Sequence, residues 1–213
     1  LDARGYNVGV IESPNWKGRE DFLRLGRPRL FFGVTSGSID SLLVNYSALK
    51  RERSRDRNVP FTARMPDRTV IVYANKIRER HRGATIVLGG IEASLRRFAH
   101  YDYWSDRVKR SILADAPAHL LVYGMGERQV VEIARRLSGG EAIQDITDIR
   151  GTSFRCSPRQ FRTMDAGDLV SLPSYAEVAR DKKAYARAFA LHPLEQDPFR
   201  GRRVAHAPGR TVL

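Results

Sequence analysis

The stretch TIVLGGIEASLRRFAHYDYWSD, residues 85–106, decides how the rest of the chain is read. Ile86, Val87 and Leu88 form a brief apolar run that stops at Gly89 and Gly90. A run this short and rich in β-branched side chains predicts a strand buried on both faces, as in a parallel sheet. Paired glycines at its carboxyl end let the backbone turn sharply and come close to another group. Ligands of open parallel sheets sit beyond the carboxyl ends of the strands. The segment from Ile91 onward is therefore where a partner surface is expected. It carries Glu92, Ser94, Arg96 and Arg97, then His100, Tyr101, Asp102, Tyr103, Trp104 and Asp106. Two readings stand side by side for the aromatic and acidic cluster. Either Tyr103 and Trp104 anchor a loop in the core while the acids cap the next helix, or part of the cluster contacts a ligand.

Working outward, the pattern of strand and helix repeats. Leu1 to Gly5 reads as a last helical turn closed by glycine, followed by a strand at YNVGVI, residues 6–11. A short helix over residues 18–25, a strand at LFFGV (30–34), the polar turn TSGS and a helix over 39–49 come next. Pro66 and Asp67 start a helix on which Val70, Tyr73, Ala74 and Ile77 form an apolar stripe. After the central strand, Asp106 is expected to cap a helix to about Ala114, with Val108 and Ile112 facing inward. Leu120 to Tyr123 is another buried strand. Gly124, Gly126 and Glu127 turn it into a helix striped by Val130, Ile133, Ala134 and Leu137, ending at Gly139 and Gly140.

This alternation predicts an α/β fold, a Rossmann-like, flavodoxin-type parallel sheet with flanking helices, over residues 1–138. Residues 139–191 read as an extension. It holds a short strand near 151–156 and a helix that Ser174 and Glu177 start with a capping box and Pro193 stops. Residues 192–213, rich in Pro, Gly and Arg, read as a linker.

Composition bounds the chemistry. The 213 residues are 42% hydrophobic, enough for a real core, and no apolar run approaches the length of a membrane helix. Cys156 is the single cysteine, which excludes an internal disulfide and suits a reducing cytoplasm. It also excludes a cysteine-ligated zinc or iron–sulfur site within these residues. The five histidines have no pair at helical ligand spacing, so no protein-built metal centre is expected. The net charge of +13, with 31 arginines against 6 lysines, makes a nucleic-acid-binding module the alternative function. The densest run, KRERSRDR (50–57), alternates with acids and reads as a solvated face.

Individual motifs divide between chemistry and structure. Gly124 and Gly126 follow a strand as in a dinucleotide fingerprint, but Gln129 stands at the third glycine position. Glu127 would also compete with a phosphate for the helix N-terminus. Arg96 and Arg97 read either as a bidentate clamp on a carboxylate or phosphate, or as partners of Asp102, Asp106 or Glu92. His100 beside Asp102 reads as a proton-transfer pair or as a structural hydrogen bond.

GGIEASLRR, AHYDYWSD and LLVYGMGER resemble the N-terminal region of the YgiQ-like radical S-adenosylmethionine proteins, as do RPRLFFGVTSGSIDS, DIRGTSF, LPSYAEV and DKKAYARA. The strand ending in Gly89 and Gly90 is more distantly similar to cobalamin-binding-type domains. The resemblance implies a downstream core of the same polypeptide. There a CxxxCxxC loop holds a [4Fe–4S] cluster and S-adenosylmethionine is cleaved to an organic radical. It implies no cofactor bound by these residues, and a strand upstream of Leu1 without which residues 6–11 would be displaced or poorly paired. The histidine-containing cobalt-ligand motif of methionine-synthase-like domains is not visible, which leaves cobalamin a minor alternative. Gly89, Gly90, Glu92, Ser94, Arg96, Arg97, His100, Tyr101, Asp102, Tyr103, Trp104, Asp106, Gly124, Gly126 and Glu127 are then expected to contact substrate or core.

Overall fold

The computed structural model describes residues 1–53, 65–163, 169–195, 197 and 199–206, and the backbone of 211–212. The second half of the KRERSRDR run lies outside the described residues. Three apolar runs lie side by side in parallel in one sheet: β1 (Phe32–Val34), β2 (Ile86–Leu88) and β5 (Leu120–Val122). Between the last two lies a hairpin of β3 (His100–Asp102) and β4 (Arg107–Lys109).

The helices sort by the face that their apolar stripe finds. Along β2, Ile86 and Leu88 point to one side and Val87 to the other, because side chains alternate along a strand. The first side packs against α1 (Glu20–Leu23), α3 (Thr69–Arg80) and α5 (Ile112–Asp115), with all four predicted stripe residues of α3 buried. The second side packs against α6 (Glu127–Ser138) through Ile133. Two shorter helices, α2 (Ser41–Asn45) and α4 (Gly90–Leu95), sit at the carboxyl ends of β1 and β2.

The sheet then continues. β6 (Thr152–Phe154) pairs antiparallel with β5, α7 (Pro158–Thr163) follows, and β7 (Leu169–Leu172) runs parallel to β8 (Arg203–His206). β9 (Thr211–Val212) joins the two halves, giving the order β1-β2-β5-β6-β9-β8-β7. The stretch read as a linker therefore contributes strands. The helices α8 (Tyr175–Val178) and α9 (Lys182–Leu194) cover β7 and β8 in a third apolar cluster around Leu172, Val178, Ala184 and Val204.

Four local readings are corrected. Residues 6–11 form no strand, and Val8 and Val10 are exposed. Asp106 starts no helix. It sits at φ +50 in the hairpin turn, and Arg107–Lys109 alternates as a strand with Val108 facing the third cluster. Ser111 caps the following helix instead, accepting from the Leu113 amide. The helix begun by the Ser174–Glu177 capping box stops at Ala179, and Asp181 caps a second one in which Pro193 is an interior residue.

Gly90 and Gly124 both lie at positive φ, but only one is crowded. A Cβ on Gly90 would come within 2.2 Å of the Thr35 hydroxyl, whereas one on Gly124 would meet nothing within 4 Å. Gly90→Ala is therefore expected to lose about 2–4 kcal/mol of stability and Gly124→Ala about 1 kcal/mol, read by denaturant unfolding.

Candidate functional site

A buried acid builds the site from below. Glu92 is completely removed from solvent, yet its carboxylate is satisfied from two directions. Oε2 accepts from the Ser41 amide at 3.0 Å and Oε1 from the Val70 amide at 2.9 Å. These amides belong to the first turns of α2 and α3, so two helix N-termini converge on one negative charge, as their dipoles favour. Asp40 caps α2 through the Leu42 amide at 3.0 Å. Its other oxygen receives the Arg96 guanidinium, which also donates to the Glu92 carbonyl at 3.2 Å. Tyr73 below has its phenol pushed up to about 12, by burial first and the Glu92 charge second.

Above this network, three loops meet at the carboxyl ends of β1, β2 and β5. Gly90 lies against Thr35 of the first loop, and the Ser94 hydroxyl accepts from the Gly124 amide of the third at 3.4 Å while donating to the Gly90 carbonyl at 2.8 Å. Gly89 is extended and donates its amide to the Val34 carbonyl at 2.9 Å. The lip these loops form exposes Ile39, Ile91, Leu95 and Met125, the last 81% accessible. Gly126 lets the chain pass Val122, whose Cγ1 a Cβ there would meet at 2.5 Å. Glu127, the first residue of α6, lines a separate open groove of about 860 Å³ with Leu1, Ala3 and Arg4.

The two neighbouring arginines part company. Arg96 is spent on Asp40 and not on Asp102, Asp106 or the Glu92 carboxylate. Arg97 donates to the Ser94 carbonyl at 2.6 Å and to Nε2 of His192, from α9, at 2.6 Å. Its guanidinium also stacks on Tyr123 at 4.6 Å and Phe98 at 5.3 Å.

The hairpin residues form a second group. Asp102 is buried and accepts from Arg68 at 2.7 Å and from the Ser105 amide and hydroxyl. Burial opposes its ionisation, but the Ser105 hydrogen bonds and the Arg68 charge prevail and hold its carboxyl below the usual range. Tyr101 donates to Asp106 at 2.6 Å, Tyr103 to the Ala48 carbonyl at 2.8 Å, and Trp104 lies against Tyr46. His100 shares its Nδ1 proton with the Phe98 carbonyl at 3.1 Å, and its pKa is depressed by burial. No hydrogen bond joins it to Asp102, whose Oδ2 is taken by Arg68 and Ser105. Sequence reading missed Thr35, Asp40, Arg68, Tyr123 and His192. Only the TSGS turn and the Asp40 cap position offered a local signal for any of them.

The donor set does not fit an iron–sulfur cluster. Such clusters need several thiolates, and Cys156 is alone, buried, and raised in pKa by burial. Among the described residues no group of three His, Cys, Asp or Glu is placed to hold a metal. Nor is any helix among them long and apolar enough to cross a membrane.

Fold and site together define a helix-flanked α/β domain whose loops gather at the carboxyl ends of three parallel strands of a mixed sheet. The chain belongs to the radical SAM N-terminal family, whose sequence pattern matches residues 1–213. It is 48% identical over 215 residues to a UPF0313 protein of Methanocella arvoryzae, covering all of this chain and 35% of that protein. A UPF0313 protein of Geobacter sulfurreducens is 46% identical, with 100% and 35% covered, and one of Clostridium botulinum 46%, with 95% and 31%. The chain thus spans about a third of the length of the curated relatives it matches. No solved structure matches.

Two predictions follow from this geometry. Glu92→Ala strands two buried amides and is expected to cost about 3 kcal/mol or more, whereas Glu92→Gln, which keeps one acceptor, costs less; denaturant unfolding measures both. His192, His206 and His119 each accept a hydrogen bond on a ring nitrogen, from Arg97, the Ala99 amide and the Ile86 amide. Burial depresses all three, His192 to about 4 from 6.5. Between those values the unfolded chain binds more protons than the folded one, so stability falls as pH drops from about 6.5 towards 4. Urea midpoints across that range should show the slope, and His192→Gln should flatten it.

Proposed function

We propose that this chain is the N-terminal accessory domain of a radical S-adenosylmethionine enzyme, packed on a core of the same polypeptide. The observation that carries this reading is the family match across the whole chain, joined to relatives about three times as long. In this reading the [4Fe–4S] cluster and S-adenosylmethionine belong to residues outside this chain. These residues shape the substrate site and do not break bonds. Gly89, Gly90, Ser94, Arg97, Gly124 and Gly126 form the surface offered to substrate or core, with Glu92 and Arg96 holding it from beneath. His100, Tyr101, Asp102, Tyr103, Trp104 and Asp106 present the hairpin as a second contact, and Glu127 a third. The sheet is read as Rossmann-like because β1, β2 and β5 lie side by side in chain order with helices on both faces. A reducing cytoplasm is the compartment the single cysteine suits.

A nucleic-acid-binding role has less to support it. Arg68, Arg96, Arg110, Arg135, Arg136 and Arg202 are each engaged with carboxylates, which takes them out of any free basic surface.

The intact protein, reconstituted anaerobically with iron and sulfide, is expected to show a [4Fe–4S] signal by electron paramagnetic resonance after reduction. It should also release 5′-deoxyadenosine from S-adenosylmethionine. Absence of both would remove the enzymatic reading.

A further inference from the structure

We propose that Arg97 is an anion-binding subsite at the lip, taking the planar oxyanion of a small diffusible ligand, a carboxylate or a phosphate. This deepens the reading above and rests on the lip as the surface that meets substrate.

Three observations converge on it. The first is counter-charge. Among the described residues no carboxylate lies within salt-bridge distance of Arg97, although its neighbour Arg96 has Asp40. Its polar contacts are neutral: a backbone carbonyl and the Nε2 of a histidine that burial keeps uncharged near neutrality. The second is desolvation. Arg97 is half-buried between aromatic rings, and burial lowers its pKa with only Tyr123 opposing. A desolvated cation without a counter-ion is costly, and an entering anion recovers that cost. The third is orientation. A guanidinium has five N–H donors in one plane. Tyr123 covers a face, and Ser94 and His192 take two donors, so the remaining N–H groups lie in the plane, the approach suited to bidentate recognition of an oxyanion.

The placement agrees with the chemistry. Arg97 follows α4 at the carboxyl end of β2 and touches Tyr123 at the carboxyl end of β5, where ligands of parallel sheets bind. The histidine from α9 fixes the fork by accepting one N–H, and Phe98, edge-on to His192 at 4.6 Å, holds that ring in turn. Arg96 cannot serve, being buried under the lip in its own ion pair.

The test is calorimetric titration of the intact protein with inorganic phosphate and, separately, with acetate. Saturable binding of at least one is expected, and the tighter of the two tells phosphate from carboxylate. Arg97→Gln should weaken it about tenfold or more, the worth of one charge-assisted hydrogen bond. Arg97→Lys, which keeps the charge and not the fork, should fall between the two and guards against a folding defect in the first variant. Wild-type protein without saturable binding, including the case where a carboxylate of its own chain already fills the site, overturns the proposal. So does either variant binding as wild type does. Cluster assembly is read separately. Anion binding retained without S-adenosylmethionine cleavage would overturn the proposed enzyme and leave this subsite standing; the reverse would overturn the subsite alone.

Discussion

Glu92 is the constraint on which the parallel end of this molecule depends. Its charge is fully buried, and an ionised carboxylate in that setting is tolerable only when hydrogen bonds replace its lost water. Those bonds come from the first turns of α2 and α3, two segments otherwise separated by residues 46–68. Joining them fixes where both helices begin. Thr69 adds a direct link by donating its amide to the Ser41 hydroxyl. The acid therefore works as a three-way pin between the loop after β1, the start of α3 and the turn after β2.

From that pin the lip geometry follows. Glu92 lies in the first turn of α4, so anchoring it fixes the turn at Gly89 and Gly90 as well. Gly90 then has to pass Thr35 at a distance no Cβ would permit, and its left-handed φ suits the same residue type. Ser94, two residues further, reaches the loop after β5. The chain thus converts one buried charge into a fixed relation between three loops, with exposed apolar side chains left on the outside. Such rigid support is what a binding surface assembled from loops requires.

Much of this was legible in local pattern. The β2 and β5 runs, both apolar helix stripes, the capping box at Ser174 and the glycine ends announce themselves through period and turn chemistry. Failures fall where a local signal is shared by two structures. Asp106 before an apolar period suits a helix cap, yet Arg107–Lys109 also alternates as a strand, and pairing with His100–Asp102 decided it. YNVGVI has the composition of a strand, but composition supplies no neighbour, and a strand without one stays open. Residues 203–206 carry only two apolar side chains, Val204 and Ala205, and gain their identity from pairing with Leu169–Leu172. The site was half legible: the residue types beyond Gly90 point to a partner surface, while Asp40, Tyr123 and His192 arrive from distant segments that no spacing rule links.

The contrast between Arg96 and Arg97 shows why net charge says little about partners. Both carry the same charge, one residue apart, and composition counts them equally towards +13. Arg96 points beneath the lip, meets Asp40 and becomes part of the scaffold. Arg97 turns toward β5, meets Tyr123 and a neutral histidine, and finds no carboxylate among the described residues. Arg96 is the C-cap of α4 and Arg97 lies past it, so the backbone leaves the helix between them, and one side chain goes to the acid and the other to the rim. What a positive side chain recognises is set by whether the fold has already supplied its counter-ion. Here the fold supplied one to Arg96 and aromatic faces to Arg97, and it is on this difference that the proposed anion subsite rests.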